Sequence, residues 1–255
     1  MTFPNPSFSG MSQVTDEKIR EALRDYYPNV DRKGGAQRLA LLDQVTNLDE
    51  LIDFCMEGYR AWADAVLMGA GAYLKIGDFP EEIAKAKEHV KQEVGRYLTG
   101  DPFLTESDYD RWHRTICLDL SDSTKFFAGY AAYRKGSQDK FKNKSGFTVG
   151  NAQKFLNMLM KDLYACLSQT PDLLRGYEAY FRYCHMPLDS YILRFVDDIR
   201  LREEIRKPAR DYSWSSLSDY DAYLDEQKDI RDYVARYKPG VTVLQTEFVV
   251  WPLYR

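Results

Sequence analysis

A glycine-punctuated loop, Ser145-Gly146-Phe147-Thr148-Val149-Gly150-Asn151, runs directly into a long apolar stretch that reads as one helix over about 148–167. An apolar helix of that length must be covered by other elements, so the rest of the chain is expected to be arranged around it. A polar connection follows. Met186-Pro187-Leu188-Asp189-Ser190-Tyr191-Ile192-Leu193-Arg194-Phe195-Val196 then sets a carboxylate where a second helix begins. Loop amides entering a helix suit a phosphate, and a carboxylate beside unpaired helix amides stays ionised in a partly dry cleft.

Other apolar spacings also follow three- and four-residue steps. Thr15 is placed to cap a short helix to about residue 26, and an amphipathic pattern runs from Thr46-Asn47 through Leu48, Leu51, Ile52 and Cys55 to Leu67. Pro80-Glu81-Glu82 opens a helix to about residue 98, and Thr105-Glu106-Ser107-Asp108 opens the next, carrying Tyr109, Trp112, Ile116 and Cys117. Ser121 or Ser123 caps a helix with Phe126, Phe127, Tyr130 and Tyr133. Further helices are predicted over 172–183, from Asp189 to about 206, and from Ser218-Asp219 to Pro239-Gly240. The tail after Val241 is β-prone in composition; a lone strand makes no sheet, so it reads as minor β structure, a last helix or an extended lid. The fold expected is an all-α globule of about eight helices: an arm and short helix over 1–40, and a helical domain over 41–255 with a hairpin near 136–154.

With 44% hydrophobic and 14% aromatic residues, the 255-residue chain can bury a sizeable core. No run of 18 apolar residues is present, and Met1-Thr2-Phe3-Pro4-Asn5-Pro6 lacks the features of a signal peptide, so a cytoplasmic protein is expected. Cys55, Cys117, Cys166 and Cys184 sit among apolar neighbours and read as reduced core thiols. His113 and Cys117, together with Cys184-His185, are the only candidates for metal or alternative enzymatic chemistry. No short ligand pair accompanies them, so neither metal nor cofactor is expected.

The net charge of −4 is unevenly spread. Residues 125–161 hold Lys125, Arg134, Lys135, Lys140, Lys142, Lys144, Lys154 and Lys161 against Asp139 alone, which is +7 there and −11 elsewhere. That asymmetry points to a local polyanion-binding face, with Lys140, Lys142 and Lys144 at its centre; an ordinary solvated lysine loop has the same composition.

The Pro187-Leu188-Asp189 segment, with the alternating aliphatic and basic residues after it, resembles the catalytic aspartate segment of the helix-hairpin-helix DNA glycosylase superfamily. Thr148-Val149-Gly150 before a helix resembles the hairpin of those enzymes, and the likeness extends over about 105–251. It departs in two respects: the family's lysine position holds Ala152, with Lys154 two residues further on, and the gap to the aspartate is longer. The resemblance implies a DNA-repair hydrolase that excises a modified base flipped from double-stranded DNA. Asp189 would stabilise the sugar cation and Lys154 would be a nucleophile or a solvated bystander. Thr148, Gly150 and Asn151, with the three lysines, would grip the backbone. Read as a plain cap, Asp189 should tolerate Asn at a cost below about 1 kcal/mol. The alternative is a non-enzymatic helical protein that binds nucleic acid or a protein partner through 125–161.

Overall fold

The computed structural model describes residues 11–30, 41–58, 73–136 and 146–255. Among these there is no strand, and ten α-helices are present: α1 (Asp16–Val30), α2 (Leu48–Asp53), α3 (Pro80–Thr99), α4 (Glu106–Ser121), α5 (Ala128–Gly136), α6 (Val149–Leu167), α7 (Glu178–Phe181), α8 (Ser190–Arg202), α9 (Tyr220–Tyr237) and α10 (Val243–Tyr254). No helix is long and apolar enough to cross a membrane.

α6 is the axis of the molecule. Its start is fixed by a capping box: the Thr148 hydroxyl accepts from the Asn151 amide and the Asn151 side chain accepts from the Thr148 amide. Every residue of α6 except Asn151 is buried, because α1, α2, α4 and α7 pack around it and a turn at Trp214–Ser216 closes its N-terminal end. α10 lies across the bundle against α1, α8 and α9. α1 adds Ile19, Leu23 and Tyr26 to the same core, so the helix assigned to an N-terminal arm is part of the globule.

Tertiary packing corrects two expectations and decides between the readings left open for the tail. The pattern starting at Thr46-Asn47 gives a short α2, capped by Asn47, and then a π-helical turn at Phe54–Gly58; its remainder lies outside the described residues. The single helix expected over 172–183 is a 3-10 turn at Pro171–Leu173 and the one-turn α7, interrupted at Gly176, whose φ of 70° leaves the helical region. The β-prone tail is α10. Thr242 and Gln245 form its capping box, and burial on several sides suits Val243, Leu244, Phe248, Val249 and Val250 whatever their strand preference.

Residues 184–188 cross the core as extended chain and are all buried. Buried backbone without helix or sheet needs side-chain partners, and two glutamines supply them. Gln153 accepts from the Leu188 amide (3.1 Å) and donates to the Leu188 carbonyl (3.0 Å); Gln227 does the same for Met186 (3.0 and 2.7 Å). This pairing fixes where the chain emerges at Asp189.

Candidate functional site

Asp189 is the N-cap of α8. Its Oδ1 accepts from the amides of Tyr191 and Ile192, both at 2.9 Å. Its Oδ2 is turned the other way and meets Lys154 Nζ at 2.9 Å and the Trp251 indole N–H at 2.9 Å. Three elements therefore converge on one carboxylate: α8 caps on it, α6 brings the amine and α10 brings the indole. The side chains of Lys154 and Asp189 are 6% and 13% exposed. Burial raises the Asp189 pKa, but the Lys154 ammonium, the Ile192 amide and the Trp251 indole together outweigh it. The carboxyl is thus held below its ordinary range.

Lys154 is therefore not the solvated helix residue its surface-like spacing allows. It is 5% exposed, and Asp189 is its one acceptor among the described residues, which leaves ammonium donors unused. One further turn pair along α6, Lys161 is buried against Glu247 of α10. Its Nζ lies 4.9 Å from the ring centres of Tyr26 and Phe248 and 5.7 Å from that of Trp251. This second pair backs the wall that carries Trp251.

The hairpin expectation fares differently. The Gly150 amide donates to Leu217 O at 2.8 Å, the Asn151 amide to Thr148 Oγ1 at 3.1 Å, and the Thr148 hydroxyl to Ser215 O at 3.0 Å. A Cβ at Gly150 would stand 1.7 Å from Trp214 O, so glycine is required there by a close approach of the protein's own backbone, not of a phosphate. Thr148, Gly150 and Asn151 are accordingly corrected from backbone-gripping residues to the seam between α6 and residues 213–217.

Three of the segment's eight basic residues are neutralised in place. Lys125 pairs with Asp119, Lys154 with Asp189 and Lys161 with Glu247, while Arg134 is buried. A window count could not see these acids, since all three partners lie outside 125–161. Lys140, Lys142 and Lys144 lie outside the described residues.

His113 and His185 do come together, in a hydrogen-bonded chain through the core; Cys117 Sγ lies 3.5 Å from His113 Nδ1, while Cys184 Sγ donates to Tyr180 O. His113 donates from Nε2 to Asn157 (2.9 Å) and accepts at Nδ1 from Tyr220 (2.8 Å). Asn157 donates to Tyr223 (2.8 Å), Tyr223 to His185 Nδ1 (2.7 Å), and His185 Nε2 to Asp110 (2.7 Å), which Arg231 also binds. Burial pushes His185 down to about 4 and His113 well below its usual value, so both rings are neutral. The Cys184 thiol is pushed up to about 12 and the Cys117 thiol well above its usual value, again by burial, so neither is a ready nucleophile. Among the described residues no group of three or more His, Cys, Asp or Glu is placed to hold a metal ion.

A surface groove of about 570 Å³ lies between α2 and α3, on Leu48, Ile52, Lys91 and Gly95; none of its lining residues belongs to α6, α8 or α10. Its shape does not mark it as the chemical centre, because it presents no titratable pair in a dry setting. Comparison with known proteins finds no matching family model, no matching curated protein and no matching solved structure.

Proposed function

We propose that the protein is a base-excision DNA N-glycosylase acting on a modified base, with Lys154 and Asp189 as its reactive pair. The observation that carries this reading is the 2.9 Å contact between a nearly buried amine and a helix-capping carboxylate brought together from 35 residues apart. An ionised carboxylate in a dry setting faces the positive charge that grows on C1′ as the C1′–N bond breaks and the base leaves with the bonding electrons. Lys154, once one of its ammonium protons has passed to the departing base, has the lone pair needed to attack C1′; the C1′–O4′ bond then breaks, its electrons and a second amine proton going to O4′, and the imine left is hydrolysed by water. If water attacks instead, the same carboxylate orients it and takes its proton.

The non-enzymatic alternative rests on the 125–161 charge alone and draws less support, since Lys125, Lys154 and Lys161 of that segment are paired internally. The test is borohydride trapping on duplex DNA containing an abasic site, alongside base release from a panel of duplexes carrying single modified bases. A covalent adduct that disappears in Lys154→Met, with base release lost in Asp189→Asn, is expected. No adduct and no release from any member of the panel would overturn the reading.

A further inference from the structure

The Lys154–Asp189 pair lies beneath two half-buried aromatic rings that touch each other. Tyr191, from the first turn of α8, and Trp251 of α10 meet edge to face with centroids 5.8 Å apart. Each ring carries an arginine: Arg194 Cζ lies 5.2 Å from the Tyr191 ring, and Arg255 Cζ lies 5.2 Å from the Trp251 ring. Both arginines are exposed, and among the described residues neither has a side-chain carboxylate within ion-pair distance. Stacking uses the flat face of a guanidinium and leaves its in-plane N–H donors pointing outward, the geometry that suits a bidentate phosphate contact.

We propose that Arg194 and Arg255, held on Tyr191 and Trp251, are the DNA-backbone grip of this protein. They would take the two phosphates that flank the nucleotide whose sugar is presented to Asp189. This rests on the base-excision reading and replaces the hairpin grip expected from the sequence, because the Gly150 and Asn151 amides are committed to Leu217 and Thr148. The placement is direct. The Trp251 indole bonds Asp189 Oδ2 and the Tyr191 amide bonds Asp189 Oδ1, so the rings that orient the arginines are the groups that orient the carboxylate. A sugar reaching that carboxylate brings its phosphates to the two exposed cations on these rings among the described residues, Lys161 on Trp251 being buried. The unstacked bases on either side would meet the exposed edges of the same rings.

The test is fluorescence anisotropy with a duplex bearing a tetrahydrofuran abasic analogue, over a range of salt concentrations. Arg194→Ala, Arg255→Ala and the double variant are compared with the parent and with Arg20→Ala, an exposed arginine on α1. Each single change is expected to weaken binding several-fold and to lower the salt slope by about one, with Arg20→Ala unchanged. If the double variant binds like a parent that does excise a base, the grip is elsewhere and the base-excision reading stands. If the parent neither binds the duplex nor releases a base, that reading falls and the grip with it. If the arginine changes abolish binding of poly-glutamate but not of DNA, the surface serves an acidic protein instead, and the proposal is overturned.

Discussion

Two buried polar regions lie within this core, and they differ in how fully their groups are used. The Asp110–His185–Tyr223–Asn157–His113–Tyr220 chain has residue types found in many active sites, yet each ring nitrogen in it has a partner and its histidines are 0–1% exposed. It ties α4, α6 and α9 to the extended 184–188 segment. The Lys154–Asp189 pair is sparser: one amine with a single acceptor, one carboxylate whose Oδ2 has two donors, and a covering of half-exposed aromatic rings. A saturated network specifies packing, whereas an unsaturated one retains capacity for a substrate. Residue identity alone does not separate the two; partner counts and exposure do.

The largest effect expected is at the pair itself. As a mere cap, Asp189→Asn would change stability little. In the structure it also strands the Lys154 ammonium in a nearly dry site, so a loss of about 3–5 kcal/mol in urea unfolding is expected, together with loss of base release by orders of magnitude. Lys154→Met with Asp189→Asn removes the stranded charge and should recover most of the stability while activity stays absent. Recovery of both together would make the pair a packing device like the histidine chain and erase the contrast.

The two regions should also separate by pH. The folded His185 binds its proton only near 4, against 6.5 in the unfolded chain, because burial outweighs its hydrogen bond to Asp110; His113 is displaced in the same direction. Between about 4 and 6.5 the unfolded chain binds more protons, so stability falls as pH drops through that window, by the order of 3 kcal/mol for one such ring. Asp189 is also displaced downward, which for a carboxylate favours the charged form: its contribution is intact above the ordinary carboxylate range and is lost only as pH falls below about 3.8. Chemical denaturation from pH 8 to 3 should therefore show the core loosening first. A flat profile between pH 6.5 and 4.5 would contradict neutral buried histidines.

What the sequence revealed follows the range of the interactions involved. Caps at Thr105, Asp189 and Asp219 were legible because a cap and its amides lie within three residues. The approach of Lys154 to Asp189 was not, since it depends on two glutamines holding the 184–188 segment beside α6. Nor was Trp251, which sits in a tail whose β-branched residues signal a strand until α1 and α8 bury it as a helix. The charge of 125–161 was counted correctly, but its meaning changed once Asp119, Asp189 and Glu247 were folded against it.

The smallest effect is the most discriminating, and it concerns Trp251. Trp251→Phe keeps an aromatic ring beside Lys161 and Tyr191 but removes the indole N–H that donates to Asp189 Oδ2. Stability should drop by only about 1 kcal/mol, the worth of one hydrogen bond with its partner still held by others. The lost donor favoured the ionised carboxylate, so the Asp189 pKa should rise. The acid limb of the activity profile should then move to higher pH while the rate near neutrality is nearly preserved. A purely structural tryptophan predicts a different pattern: a uniform loss of folded protein with an unmoved limb. Carbon-13 titration of the Asp189 carboxyl in both proteins separates the two even without a substrate. A carboxyl that titrates identically with and without the indole would remove Trp251 from the site and leave Lys154 and the Ile192 amide to hold Asp189 anionic.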